Sequence, residues 1–329
     1  MSGSNNFGAL DAGTRLNCAA SWDYYIIDCV LGEGGFGITY KATGFAPITG
    51  SGDRETGAVA VKEYFPMHCA TRSEDGITAV PIPGREEEYA AGLTRFSDEM
   101  KTLASLRNVD SVVRVVNTFN ANGTAYLVME YLDGVPLYKK AQELGGRIPP
   151  EELLPKLPRL LQDISYMHRA GILHRDITPD NIMWMPDGTL KLIDFGSARS
   201  MSKSHKTVLL KLGYAPIEQY ITSGQGTWTD VYALCATIYY LLSGTNPPDA
   251  VDRLDNDPLK PLVELGVALT PWEDAAILHG MAVQPMDRTQ TADDLLRELS
   301  PAYAEVASKV RRPSFFRRLL DRLLRRGRA

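Results

Sequence analysis

The sequence is poor in the residues that build disulfide scaffolds and metal cages. It has four cysteines, Cys18, Cys29, Cys69 and Cys235, and five histidines in 329 residues. No two cysteines have CxxC spacing, so neither a zinc site nor a dithiol redox motif is suggested. Cys29 and Cys235 stand in apolar runs and are expected to be buried thiols, as suits a reducing cytosol. No uninterrupted apolar run reaches about 18 residues, so no membrane-spanning helix is expected. Residues 1–6 have neither the positive charge nor the apolar core of a secretory leader, which points to a cytoplasmic protein. Global positive charge is missing too: the net charge is −5, without the broad basic footprint of a nucleic-acid binder.

What is present is a chain 44% hydrophobic, enough for a large core in one or two lobes. Its charge is uneven. Residues 309–329 hold nine Lys/Arg against one acid, a net +8, so the rest carries −13. An acidic body with a basic tail suggests a separate partner for the tail.

Polar functional groups concentrate in residues 172–196. Ile182–Met185 and Thr189–Ile193 read as short strands joined through Pro186-Asp187-Gly188, a turn signal. Such a hairpin returns the chain so that Asn181 and Asp194 lie near each other. An amide oxygen and a carboxylate in one pocket suit Mg²⁺, which prefers hard oxygen ligands. Asp176 is then free to orient a hydroxyl nucleophile.

His174-Arg175-Asp176 with Asn181, followed by Asp194-Phe195-Gly196, resembles the catalytic loop and magnesium loop of a protein kinase. Upstream, a strand over 22–30 leads into Gly32-x-Gly34-x-x-Gly37, and residues 38–40 read as a second strand. A glycine-rich strand–turn–strand suits the phosphate cover of a kinase, because glycines admit a triphosphate close to backbone N–H groups. A buried strand at 58–66 carries Lys62, and an unpaired buried ammonium is costly. The resemblance makes Lys62 the residue that grips the α/β-phosphates, paired with a helix carboxylate. Phe96, Leu103 and Leu106 give helical spacing around Glu99, the expected partner, while Glu86, Glu87 and Glu88 read as a solvated face.

Other roles follow from the resemblance alone. Leu31, Gly32, Glu33, Gly34, Gly35, Phe36, Gly37, Thr39, Ala60, Lys62, Met129, Glu130 and Leu132 would line the ATP site, with Glu130–Leu132 as the hinge on the adenine edge. Residues 197–213 would be the activation segment, with Ser200, Ser202, Ser204 and Thr207 as candidate phosphorylation sites and Arg175 as a phosphate receptor. Glu218 of Ala215-Pro216-Ile217-Glu218 would pair with Arg288, and Asp230 would fix the catalytic-loop backbone. The Gly-Gly-Phe-Gly-Ile-Thr-Tyr run, Lys-Glu-Tyr-Phe-Pro and the insertion after them are similar to bacterial Ser/Thr protein kinases.

Two positions depart from that pattern. The lysine usual two residues after the catalytic aspartate is Thr178, and the threonine usual seven residues before the segment's glutamate is Lys211. The types look exchanged, which makes Lys211 a candidate for the missing cation.

The expected fold is therefore α+β and two-lobed. It comprises a flexible lead-in over 1–21 and a kinase domain over 22–300, with a small antiparallel sheet lobe at 22–131 and a helical lobe at 132–300. A basic amphipathic tail follows at 301–329. Within the tail, Phe315, Phe316, Leu319, Leu320, Leu323 and Leu324 recur on one face between arginines. It could lie on an anionic membrane surface, dock on its own acidic body or bind a partner protein. Residues 42–57 are expected as an exposed connector and 67–84 as irregular. The expected activity is ATP- and Mg²⁺-dependent phosphorylation of protein Ser/Thr, including autophosphorylation. The competing readings are a pseudokinase, favoured only by Thr178, and a small-molecule kinase, disfavoured by residues 213–219 and Arg288.

Overall fold

The computed structural model describes residues 8–18, 23–35, 37–47, 52–106, 109–195, 199–200, 211–221 and 224–299. Phe36, most of the activation segment including Ser202, Ser204 and Thr207, and the tail lie outside the described residues.

The chain opens as an antiparallel sheet. β1 (Arg15–Asn17), β2 (Tyr24–Gly34), β3 (Gly37–Pro47) and β4 (Asp53–Tyr64) follow one another along it. A small hairpin comes next, β5 (Ala70–Arg72) with β6 (Ala79–Pro81), and then the helix α1 (Glu86–Ser105). β7 (Val115–Ala121) and β8 (Thr124–Glu130) complete the sheet in the order β1-β2-β3-β4-β8-β7. Asn122 and Gly123 both have positive φ, which is why Asn-Gly makes the two-residue turn between β7 and β8.

The sheet lobe corrects four expectations. Residues 8–18 are not a loose lead-in: β1 pairs with β2, and Leu10 and Leu16 are buried. Within the stretch 42–57, residues 42–47 and 53–57 are strand, since β3 and β4 stay paired out to Pro47 and Asp53. The insertion at 67–84 holds the β5–β6 hairpin. Cys29 is exposed, while Cys18, Cys69 and Cys235 are buried.

Downstream the chain is mainly helical. A short β9 (Val135–Pro136) leads to α2 (Leu137–Glu143) and α3 (Pro150–Leu153). A 3-10 turn over Leu154–Lys156 intervenes before α4 (Leu157–Arg169). Pro155 and Pro158 explain this break, since neither can donate to a preceding helical carbonyl. Four short strands follow: β10 (Ile172–Leu173), β11 (Ile182–Trp184), β12 (Leu190–Leu192) and β13 (Arg199–Ser200). The rest is α5 (Ile217–Tyr220), α6 (Thr227–Ser243), α7 (Pro271–Gly280) and α8 (Ala292–Leu299). α6 is apolar almost all round and buried, as a helix at the centre of a lobe must be. The two-lobed α+β architecture agrees with the expectation.

Candidate active site

β4 sets the geometry of the cleft through its period of two. Thr39 pairs with Lys62, and Ala60 pairs with both Lys41 and Met129. Directly opposed residues share a face, so Thr39, Ala60, Lys62 and Met129 lie on one side of the sheet. Lys62 Nζ donates to Asp194 Oδ1 at 2.8 Å and to Glu99 Oε1 at 3.4 Å. Burial by itself would lower the Lys62 pKa, but the Asp194 and Glu99 carboxylates raise it above its ordinary value. The ammonium is thus held charged, bridging α1 to the loop after β12.

The glycine-rich turn is built for two purposes. A Cβ at Gly37 would overlap the Glu63 carbonyl, so this glycine serves the close approach of β3 to β4. A Cβ at Gly32 would meet nothing within 4 Å. Packing does not demand glycine at Gly32, and that open backbone leaves room for a phosphate group. Leu31, Glu33 and Gly34 lie on the same exposed end of β2, and Gly35 opens the turn after it.

β11 and β12 pair antiparallel, with Ile182 opposite Leu192, as the sequence implies. Ile193 N donates to Asn181 O at 2.9 Å, which brings the stretches bearing Asn181 and Asp194 together. Asn181 Nδ2 donates to Asp176 Oδ2 at 2.9 Å and to Asp176 O at 3.0 Å. Both amide hydrogens are therefore spent on Asp176, which leaves the Asn181 amide oxygen as an acceptor. That oxygen and the Asp194 carboxylate are hard oxygen donors, the type that a divalent cation such as Mg²⁺ prefers.

The catalytic-loop backbone is strained and pinned. Arg175 (φ 65) and Asp194 (φ 57) are non-glycine residues in the left-handed region, a conformation that surrounding bonds must hold. Asp230, fully buried on α6, accepts the N–H of His174 at 2.8 Å and of Arg175 at 2.7 Å, and bonds His168 Nε2 at 2.8 Å. Burial would raise its pKa, yet the His168 bond, the two histidines and the backbone donors bring it below the usual value. Gln219 Nε2 donates to Arg175 O at 2.9 Å, and Thr237 Oγ1 to Ile177 O at 3.1 Å. Nothing in the local sequence around Gln219, Thr237 or His168 marks these bonds.

Thr178 and Lys211 do meet. Lys211 Nζ donates to Thr178 Oγ1 at 3.0 Å and lies 3.4 Å from Asp180 Oδ2. Burial pushes the Asp176 pKa up, and Lys211 followed by His174 pulls it part of the way back. Asp180 is a contact that the sequence reading missed. So is the Glu130 side chain, which binds Lys191 Nζ at 2.5 Å and the Arg114 N–H at 2.9 Å. The backbone N–H of Glu130 is itself taken by Arg114 O at 2.9 Å, so it is not free for an adenine edge.

The protein kinase domain family matches residues 67–298. The chain belongs to the protein kinase family. That match begins after Lys62, so it does not cover the glycine-rich turn or the lysine strand. The kinase is 33% identical over 218 residues to a probable serine/threonine-protein kinase of Streptomyces coelicolor, covering 61% of this chain and 32% of the relative. It is 32% identical over 222 residues to the serine/threonine-protein kinase PknB of Mycolicibacterium smegmatis, covering 62% and 35%. This chain therefore spans about a third of the length of these relatives. Among solved structures, the apo form of PpkA-294 aligns with a TM-score of 0.73 at 33% identity, covering 89% of this kinase and 100% of that chain.

Proposed function

We propose that this kinase transfers the γ-phosphoryl group of ATP to serine and threonine hydroxyls of proteins. The observation that carries the reading is the pair of hydrogen bonds from Lys62 to Glu99 and Asp194, because in protein kinases the lysine–glutamate pair must be formed for activity. A pseudokinase would not need that pair, nor Asp176 held by Asn181. The intact Glu218–Arg288 pair, at 2.7 Å, supports a protein rather than a metabolite as acceptor.

In this mechanism Lys62 holds the α/β-phosphates, the glycine-rich backbone at Gly32, Gly34 and Gly37 covers them, and the Thr39 methyl packs on the adenine. Ala60, Met129 and Leu132 flank the adenine. Asp176 orients the acceptor hydroxyl and takes its proton as the phosphoryl group departs. Lys211 supplies, from the far end of the activation segment, the cation that Thr178 lacks. Asn181 and Asp194 would hold Mg²⁺, which when bound neutralises phosphate charge. Most of the work is positioning and electrostatics.

Phosphopeptide mass spectrometry after incubation with ATP and Mg²⁺, beside the Asp176→Ala variant, tests the reading. Phosphate on Ser200, Ser202, Ser204 or Thr207 only in the unaltered chain is the expected result. If neither the chain itself nor a generic acceptor protein gains phosphate, the enzyme reading falls. For the tail, residues 313–326 are proposed to engage either an anionic membrane or a protein surface. Cosedimentation with phosphatidylserine vesicles, with and without the tail, separates the two.

A further inference from the structure

The residue after Lys62 in β4 is a glutamate with no exposure at all. Alternation sends Glu63 to the face opposite the cleft, where a lone carboxylate would be very costly. Arg72, at the end of β5 in the insertion, neutralises it as a fork. Its two terminal nitrogens lie 2.7 Å from Oε1 and 2.6 Å from Oε2 of Glu63. Tyr40 Oη and Tyr126 Oη donate to the same carboxylate at 2.8 and 3.1 Å. Arg72 also donates to Gly8 O and to Ile77 O, each at 2.8 Å, and covers the Phe65 ring. One guanidinium thus ties the amino-terminal segment, the insertion and the lysine strand together.

The other strand of the insertion reaches α1 through the β7–β8 turn. Ala79 N, on β6, donates to Asn122 O at 2.9 Å in the β7–β8 turn. A Cβ at Gly123 would overlap the Ala79 carbonyl, so the turn and the hairpin are in close apposition. Gly123 O in turn accepts the Tyr89 hydroxyl of α1 at 2.9 Å. Tyr64, on the Lys62 face of β4, donates to Tyr89 O at 3.2 Å. α1 carries Glu99 and β4 carries Lys62, so the Arg72 bonds reach the lysine strand and the Tyr89 bonds reach the glutamate helix.

We propose that the β5–β6 insertion is a built-in clamp that holds α1 against β4, with Arg72 and Glu63 as positioning residues for ATP binding. The clamp sets the lysine–glutamate pair without waiting for the activation segment. It rests on the kinase reading but is tested separately from it.

The test uses the full chain and its Arg72→Met, Arg72→Lys and Tyr89→Phe variants. Dissociation constants for a fluorescent ATP analogue are measured beside KM for ATP, KM for an acceptor protein and the melting temperature. If the paired state falls to a tenth of the population, the nucleotide dissociation constant rises about tenfold. That rise is expected for Arg72→Met, with the acceptor KM unchanged. Arg72→Lys should be intermediate, since an ammonium keeps the charge but not the fork. Tyr89→Phe leaves the buried ion pair intact and should raise the constant in the same direction, and it decides the matter should Arg72→Met not fold. Unchanged nucleotide affinity in the variants that fold, with only the melting temperature lowered, would reduce the hairpin to a packing role. Failure of the unaltered chain to bind the analogue would instead strike at the kinase reading.

Discussion

At the scale of single residues, the most testable feature is the exchange between Thr178 and Lys211. Asp176 has a pKa raised by burial, and Lys211 is the strongest counterweight. Removing that cation disfavours the ionised base, so the pKa must rise further. Lys211→Met should therefore move the acid limb of the kcat/KM profile to higher pH. It should also lower kcat by on the order of 10²-fold, the usual loss for one aimed electrostatic donor. Transposing the pair, Lys211→Thr with Thr178→Lys, should recover much of the rate if the two positions share one site, as their 3.0 Å contact implies. An acid limb that stays put in Lys211→Met would mean that the ammonium does not face the base.

Elements show where the sequence stops being legible. Lys62, Asp176, Asn181 and Asp194 were legible as candidates from their motifs, and the structure brings Lys62 to Asp194 and Asn181 to Asp176; the β11–β12 hairpin follows from its turn residues. The extended β3–β4 hairpin was not legible. Glycine, proline and polar residues in 42–57 look like a loop locally, yet cross-strand pairing carries 42–47 and 53–57 as strand. The insertion was hidden for a related reason. Its order comes from Arg72 reaching Glu63, a contact that no periodicity encodes. α1 gives a prediction at this scale. Gly92 lies inside the helix, where alanine would ordinarily gain about 1 kcal/mol. A Cβ there would overlap the Tyr64 hydroxyl, which is bonded to Tyr89 and whose ring is wedged between Tyr89 and Phe96. Overpacking of that kind costs about 1–3 kcal/mol. Gly92→Ala should thus lower stability to chemical denaturant and weaken nucleotide binding together, as α1 moves off β4.

For the whole molecule, the helical lobe is held to its catalytic loop by buried charge. Asp230 has a lowered pKa, so the stability it contributes is present above the ordinary carboxylate range and is lost as pH falls from that range down through its lowered folded value. Asp230→Asn should cost about 3 kcal/mol at neutral pH, the upper end for hydrogen bonds to a charged group. It should also flatten the acid side of the stability profile, which denaturant titrations at several pH values would read. The second anchor is Glu218 with Arg288. Both are buried, Nη1 lies 2.7 Å from Oε1, and Arg288 also donates to the carbonyls of Ala282, Val283 and Trp228. Thr229 of α6 donates to the same carboxylate, so the pair joins the end of the activation segment to α6 and to the chain before α8. Removing one partner strands the other charge, at about 3–5 kcal/mol. Arg288→Ala should therefore unfold at much lower denaturant. The companion Glu218→Gln/Arg288→Met, which removes both charges, should recover part of that loss, because the cost lies in the unpaired charge more than in the missing bond. If the double variant is as unstable as Arg288→Ala, the pair matters through shape and not through charge compensation.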